Sequence, residues 1–250
     1  MVINEILNKY IQPIAALRLM LSLARRIIIL MHNFSTDQYS FILQEIRERM
    51  YSAEVLSNQR NIVFIESTSL QIRKILELIA YLSVLVNNEK LNHKERNEWN
   101  PKNIIEALRK KTTIFYPFPS HVFPQSKENS EPVLIPFGYK NALTQEDFVN
   151  AYNVCGKNLH AQHPLKDKLN IDHVFAENKN ILNKLKGLLE RHTIAIRHGA
   201  DKYTFLHVEI DFTNGDTAKP TTIHEYRMHI FNESQLKAIF NAENAYDMAL

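Results

Sequence analysis

The sequence FIESTSLQIRKILELIAYLSVLV, residues 64–86, decides the fold. Its second half is apolar on nearly every side of the helix that it predicts. A helix of that kind lies in the middle of a domain rather than on its surface. We therefore expect it to be central, with the other elements packed around it. The apolar residues of this half are Ile75, Leu76, Leu78, Ile79, Tyr81, Leu82, Val84, Leu85 and Val86.

The first half of the same stretch carries charges on one helical face. The residues spaced at i, i+4, i+7 and i+11 are Glu66, Leu70, Arg73 and Glu77, with Lys74 beside them. Charges at such a depth must be paired. An arginine held between two carboxylates is rigidly oriented, which suits it to gripping a phosphate or positioning a base. The alternative is an ion-pair network that only specifies the fold.

The composition indicates a folded protein without disulfides. Of the 250 residues, 45% are hydrophobic and 23% are charged, which is not typical of a disordered chain. The formal net charge of +3 permits a nucleic-acid partner but does not require one. The single cysteine, Cys155, excludes an internal disulfide framework and a cysteine-based zinc cluster. It fits a reducing cytosol, and we predict a cytoplasmic protein.

Residues 14–31 are the only stretch that could be taken for a membrane segment. Three arginines interrupt it, Arg18, Arg25 and Arg26. Each would cost roughly 2.5–3.5 kcal/mol near the centre of a bilayer. We therefore predict that this N-terminal apolar helix lies in the core or at an interface with a second copy or a partner protein, and that the chain has no membrane partner.

The remaining patterns predict a mainly α fold of the α+β class, a helical bundle with a small C-terminal antiparallel β-meander. The predicted division is a helical bundle domain over residues 1–191, with a sheet and a terminal helix over residues 192–250. Besides the central helix, helices are predicted over residues 4–31, 37–57, 101–111, 145–163, 172–191 and 233–247. In the second of these, Arg47 is expected to face solvent.

From His192 the hydrophobic period changes to two, which predicts three strands: HTIAIRH, YTFLHVEIDF and TTIHEYRMHI. One apolar and one polar face predict a sheet that lies on the helices with its other side wet. The earlier stretch IFYPFPSHVFP contains three prolines. We expect it to be extended against the helical core and a poor candidate for a central strand.

The stretch CGKNLHAQHP, residues 155–164, places histidines near the end of a helix. His160 could act as a general acid or base near neutral pH. Gly156 lies one turn earlier and leaves room for another helix or a substrate. The alternative is a core histidine at 160 and a helix cap at His163. Cys155 is predicted to be buried and not to be a nucleophile.

A third set of polar residues lies on the predicted sheet. Its members are His207, Glu209, Asp211, Glu225, Arg227 and His229. Histidine and carboxylate on adjacent strands can bind a metal. Alternating charges across strands are also typical of an ordinary solvated face. We favour the solvated face, and so predict no metal and no cofactor.

At ESTSLQIRKILELIAYL, FYPFP and CGKNLHAQHP the chain resembles a family of uncharacterised bacterial proteins with helix-rich bodies, across most of residues 60–190. A long charged helix followed by a helix ending in polar and His residues is similar at a distance to HEPN domains. That resemblance implies a helical bundle, often dimeric, and metal-independent RNA cleavage in toxin or phage-defence systems. HEPN nucleases have an Arg a few residues before a His on one helix. Before His160 the corresponding positions hold Asn153, Val154 and Cys155.

We therefore expect the arginine to come from the central helix. The predicted function is an RNA-directed HEPN-like protein, with a ribonuclease effector as its most specific form. The alternative is a non-catalytic interaction or sensor subunit of a bacterial complex. The predicted catalytic residues are Arg73, Glu77 and His160, and the predicted binding residues are Glu66, Lys74, Lys157, Asn158 and His163.

Overall fold

The computed structural model describes residues 35–112, 114–123, 133–161, 165, 170–198, 202–212 and 221–229. The helices predicted over residues 4–31 and 233–247 lie outside these residues, as does His163. Within the described residues, no helix is both long and apolar enough to cross a membrane. The described residues from Thr36 onward belong to one compact unit.

The central helix has the predicted position. Helix α1 spans Thr36–Leu56 and α2 spans Ile62–Val86. Asn61 caps α2, because its side chain accepts a hydrogen bond of 3.1 Å from the backbone N–H of Phe64. Most of the apolar second half of α2 is buried, with Tyr81, Val84 and Leu85 half-buried, and α2 contacts each of the longer helices of the described chain. The prediction that the other helices pack around this segment is confirmed.

Arg47 on α1 is a correction. It was expected to face solvent, yet only 5% of the residue is exposed. Its Nε donates a hydrogen bond of 3.3 Å to the backbone carbonyl of Asp211. The guanidinium therefore lies on the buried side of α1, where it has a backbone carbonyl as an acceptor.

Among the described residues four further α-helices follow, at His93–Arg96 (α3), Pro101–Lys111 (α4), Gln145–Asn158 (α5) and Ile171–Leu189 (α6). Thr144 caps α5, because its hydroxyl oxygen accepts a hydrogen bond of 3.0 Å from the Asp147 N–H. This helix ends earlier than predicted. After Asn158 the N–H groups of Leu159 and His160 bond three residues back, which is a tightened terminal turn and not a continued helix.

The sheet has five antiparallel strands in the order β2-β1-β3-β4-β5. The strands are Phe118–Phe123 (β1), Val133–Pro136 (β2), Arg191–His198 (β3), Lys202–Glu209 (β4) and Thr222–His229 (β5). The predicted meander corresponds to β3, β4 and β5, and the α+β class is confirmed. The division at residue 191 stays a prediction, and β1 and β2 add strands from before it.

The proline-rich stretch forms β1, which lies between β2 and β3, and this corrects the expectation that it is a poor central strand. β1 pairs with β3 at two positions, Phe118 and Pro119. The missing N–H of Pro119 can therefore affect only this short ladder on the β3 side. The pairing of β1 with β2 begins one residue later, at Ser120. The missing N–H of Pro119 therefore falls at the end of that ladder.

The second face of the sheet is not wet at its centre, which is another correction. Thr193 pairs with His207 and Ala195 pairs with Phe205, and all four side chains are buried. The opposite face carries the predicted apolar residues Leu206 and Val208, which are fully buried. Strands buried on both faces read as near-continuous apolar runs, but here polar side chains interrupt the run. Buried polar groups of this kind need partners or a function.

Candidate functional site

The best-formed polar site surrounds Arg73 in the first half of α2. We call it the Arg73 cluster: Arg73, Lys74, Glu77, Tyr152 and Gly156. Arg73 Nη2 donates a hydrogen bond of 2.6 Å to the Tyr152 hydroxyl, and its guanidinium carbon lies 4.2 Å from the centre of the Tyr152 ring. Burial raises the pKa of Tyr152, and Glu77 adds to this rise while Arg73 opposes it. The phenol therefore stays protonated at neutral pH.

Glu77 holds the two cations of the cluster. Its Oε1 lies 3.5 Å from Arg73 Nε, and its Oε2 lies 2.7 Å from Lys74 Nζ. The predicted contact between Arg73 and Glu77 is therefore present. The Glu77 side chain is 16% exposed and that of Arg73 is 29% exposed. With two positive groups and one negative group, the cluster has a net charge that favours an anion.

Gly156 on α5 makes room for Arg73. A Cβ at this position would lie 2.6 Å from Arg73 Nη1, which is closer than side-chain atoms approach one another. A glycine inside a helix destabilises it by roughly 0.5–1 kcal/mol relative to alanine. The glycine has a structural reason here, because the Arg73 guanidinium occupies the space that the methyl group of an alanine would fill.

Glu66 does not take the predicted place beside Arg73. It is half-buried, and its side chain forms no hydrogen bond or ion pair with any described residue. The expected arginine between two carboxylates is instead an arginine between one carboxylate, Glu77, and one phenol, Tyr152. Glu66 lies two helical turns from Arg73, which is too far for contact.

Asn158, predicted as a binding residue, lies in the core. Its amide donates a 3.3 Å hydrogen bond to Ser69 Oγ, which in turn bonds Asn178 Oδ1 at 3.1 Å. Asn178 also donates to the carbonyl of Ile65. This network joins α2, α5 and α6, so Asn158 is placed to fix helix packing and not to face a ligand.

Lys157 and His160 lie on the exposed side of the α5 terminus. The His160 side chain is exposed and forms no hydrogen bond or ion pair within the described part of the chain, so the alternative of a satisfied core histidine is wrong. Cys155 is buried, and burial raises its pKa to about 12 with Glu177 acting in the same direction. It is a thiol at neutral pH, as expected for a cysteine that is not a nucleophile.

A second polar set lies on the sheet, and we call it the β1–β4 cluster: His121, His207 and Glu209. His207 Nε2 and His121 Nδ1 lie 3.5 Å and 3.9 Å from Glu209 Oε1. Both nitrogens are buried and form no hydrogen bond. A buried polar atom without a partner costs roughly 1–3 kcal/mol. Burial lowers the pKa of His207, and the nearby Glu209 carboxylate opposes this shift.

The β1–β4 cluster differs from the predicted set of sheet residues. The register pairs His207 with His224, whereas Glu225 pairs with Leu206. Opposed residues share a face, so Glu225 is not on the His207 face. The side chains of Arg227 and His229 lie outside the described part of the structure. His121 was missed because it belongs to the proline-rich strand that sequence patterns did not place in the sheet.

An apolar groove of about 600 Å³ lies between α1 and α2, and we call it the α1–α2 groove. Phe41 at its edge is 73% exposed. The other lining residues include Ile42, Tyr81, Val84 and Leu85, with Asp37 and Arg96 as charged members.

The structure thus brings Arg73, Lys74 and Glu77 together and adds Tyr152, which the sequence pattern did not link to Arg73. It places Asn158 in a separate core network and leaves Glu66 without a charged partner among the described residues. His160 and Lys157 follow Gly156 at the solvent-exposed end of α5. No family model, curated protein or solved structure matches this chain.

Proposed function

We propose that the chain is an RNA-directed protein of HEPN type, in which the Arg73 cluster binds a backbone phosphate. The observation that carries the proposal is the state of Arg73. Its guanidinium contacts Tyr152 and Glu77 and packs against Gly156, and 29% of the Arg73 side chain remains exposed. An arginine that is fixed before binding loses less entropy when it grips an anion.

The unused donors of Arg73 support a phosphate ligand. Nη2 bonds Tyr152, Nε faces Glu77, and Nη1 lies against Gly156 without a hydrogen bond to any described residue. A guanidinium has five N–H donors in a planar fork that matches phosphate oxygens. Lys74 is 45% exposed and adds a second positive group, since Glu77 can balance only one of the two cations.

The end of α5 supports the more specific proposal of RNA cleavage. In this chemistry a base takes the proton from the ribose 2′-hydroxyl, and the 2′-oxygen attacks phosphorus. The bond from phosphorus to the 5′-oxygen breaks, an acid protonates that oxygen, and a 2′,3′-cyclic phosphate remains. We assign His160 to one of the two proton transfers, Arg73 to the phosphoryl charge, Lys157 to the adjacent backbone and Glu77 to orienting Arg73.

The test is binding of a labelled single-stranded RNA, followed by fluorescence anisotropy at several salt concentrations. Arg73→Met keeps an unbranched apolar stem and removes the guanidinium with its charge. We expect about 10- to 100-fold weaker binding, because a charge-assisted hydrogen bond contributes about 1.5–3 kcal/mol. The salt dependence of the affinity should also become shallower, since fewer phosphates are neutralised.

The matched control is Arg109→Met, which removes an arginine that is 44% exposed and weakly paired on α4. Its RNA affinity should stay close to that of the wild type. A second variant, Gly156→Ala, leaves the charge in place but moves the guanidinium away from its seat. Equal affinities of wild type, Arg73→Met and Gly156→Ala would contradict the proposal.

The α1–α2 groove favours a second candidate, a non-catalytic subunit that dimerises there. The groove carries an acidic residue, Asp37, and a basic residue, Arg96. At an interface with twofold symmetry both copies use the same patch, so each contact between two residues occurs twice. Opposite charges on one patch are therefore self-complementary. Sedimentation velocity separates the two candidates: a dimer that dissociates on Phe41→Glu and never binds RNA supports the second.

A further inference from the structure

We propose that the β1–β4 cluster is a binding site for a divalent transition-metal ion, with Zn²⁺ as the best fit. The ligands are His121 Nδ1, His207 Nε2 and one carboxylate oxygen of Glu209. The site lies on the sheet, and none of its residues belongs to the Arg73 cluster. It is therefore independent of the proposed RNA-directed function.

The spacing of the three ligand atoms fits a small metal ion. They all lie within 4.8 Å of one another, and the two distances to Glu209 Oε1 are 3.5 Å and 3.9 Å. Zn²⁺ holds His nitrogen and carboxylate oxygen at about 2.0–2.2 Å, and tetrahedral geometry then separates neighbouring ligands by about 3.3 Å. Small side-chain movements would bring all three atoms to that separation.

Two histidine nitrogens of the cluster, His121 Nδ1 and His207 Nε2, lack a hydrogen-bond partner. Both are buried, both face the same carboxylate, and neither forms a hydrogen bond. A direct hydrogen bond to Glu209 would require a shorter distance than either nitrogen has. A metal ion between the three groups would accept both nitrogen lone pairs and balance the carboxylate charge.

The neighbouring hydroxyls are compatible with the His207 tautomer that a metal requires. Its Nδ1 lies 3.0 Å from Thr193 Oγ1, and this oxygen lies 2.7 Å from Ser120 Oγ. Ser120 and Thr193 are buried, so the chain of contacts is fixed within the sheet. With Nδ1–H donating to Thr193, Nε2 carries a free lone pair, as in most metal-binding histidines.

Two aromatic rings orient His121 and leave one side of the site open. Phe123 meets the His121 ring edge-on at 4.5 Å, and Phe137 stacks in parallel at 6.3 Å. The Glu209 side chain is 40% exposed, so solvent reaches the carboxylate side. Three protein ligands with an open fourth position for water are typical of catalytic zinc sites.

The donor set also predicts selectivity. Two imidazoles with one carboxylate suit Zn²⁺ and its transition-metal neighbours, whereas Mg²⁺ and Ca²⁺ prefer oxygen ligands. We therefore expect Zn²⁺ and Co²⁺ to bind and Mg²⁺ to compete poorly.

The experiment uses the full chain after treatment with EDTA and removal of the chelator. Zn²⁺ titration by calorimetry should show one site per chain, and Co²⁺ should give the visible absorption bands of a tetrahedral site. His121→Ala should weaken Zn²⁺ binding by about 100-fold or more, because loss of an outer-shell partner alone costs 10- to 100-fold. Glu209→Gln should act in the same direction and retain the shape of the side chain.

The matched control is His173→Ala on α6, where the histidine side chain is 70% exposed. It should bind Zn²⁺ as the wild type does. Circular dichroism verifies that each variant is folded, and Zn²⁺ should raise the melting temperature of the wild type but not of His121→Ala. Equal Zn²⁺ affinity in wild type and His121→Ala, or no uptake by the folded wild type, would overturn the proposal.

Discussion

His160→Ala is expected to lower the rate of RNA cleavage by about 100- to 10,000-fold, which is the usual contribution of a positioned general acid or base. RNA affinity should remain nearly unchanged, because His160 follows Gly156 at the exposed end of α5 and takes no part in the contacts that hold Arg73. The assay measures cleavage of a labelled RNA in the presence of EDTA, with cyclic phosphate ends identified by mass spectrometry.

Two comparisons make this result specific. His93→Ala removes another exposed histidine and should cleave as the wild type does. Circular dichroism in EDTA shows whether each protein stays folded when the chelator removes any metal from the sheet. A loss of cleavage in a folded variant can then be assigned to the substitution. If folded His160→Ala cleaves RNA at the wild-type rate, His160 is not a catalytic residue. If the wild type binds RNA and never cleaves it, the protein is RNA-binding without nuclease activity.

Stability is expected to fall as the pH is lowered from 6.5 to 4, because of His192. This residue is fully buried, with Nδ1 3.0 Å from the Leu189 carbonyl and Nε2 3.3 Å from the Tyr39 hydroxyl. Nδ1–H therefore donates and Nε2 accepts. Burial lowers the pKa of His192 from 6.5 to about 4.

The sign of the effect follows from this shift. Above pH 6.5 His192 is neutral in both states and has no influence on the pH dependence. Between pH 6.5 and about 4 the unfolded chain takes up a proton and the folded chain does not, so the free energy of unfolding falls. The expected loss is about 3 kcal/mol, since each pKa unit corresponds to about 1.4 kcal/mol.

Urea denaturation at pH 7.5, 5.5 and 4.5 measures this loss. In His192→Gln the amide N–H donates to Leu189 and the amide oxygen accepts from Tyr39, without a titrating group. This variant should lose less stability on acidification than the wild type. Burial lowers the pKa of His207 as well, but this residue contributes equally to both proteins. An unchanged pH dependence in His192→Gln would contradict the assignment.

The helices and the strands β3 and β4 could be predicted because their sequence signals are local. The all-apolar half of α2, the Thr144 cap of α5 and the alternation in β3 and β4 each depend on residues close together in sequence. Strand β1 could not be predicted in the same way. Its prolines argue against a central strand, and only the position of Pro119 at the end of a ladder makes it compatible with one.

The candidate sites were predicted in part for a related reason. The spacing on α2 indicated Arg73 with Glu77, and the glycine in a helix indicated a close approach at Gly156. Tyr152 is buried, and its bond to Arg73 was not predicted, although its position one turn before Gly156 puts both residues on one face of α5. His121 could not be joined to His207 from sequence, because no periodicity links β1 with β4, which are separated along the chain by β2, two helices and β3.

The most direct test of the central claim is to locate bound RNA on the protein. The wild type is cross-linked to a single-stranded RNA containing 4-thiouridine, digested, and analysed by mass spectrometry. We predict that the cross-linked peptides come from α5 around Tyr152 and Gly156 and from α2 around Arg73, and that these cross-links disappear in Arg73→Met. Cross-links confined to other elements, or unchanged in Arg73→Met, would show that the Arg73 cluster does not bind RNA.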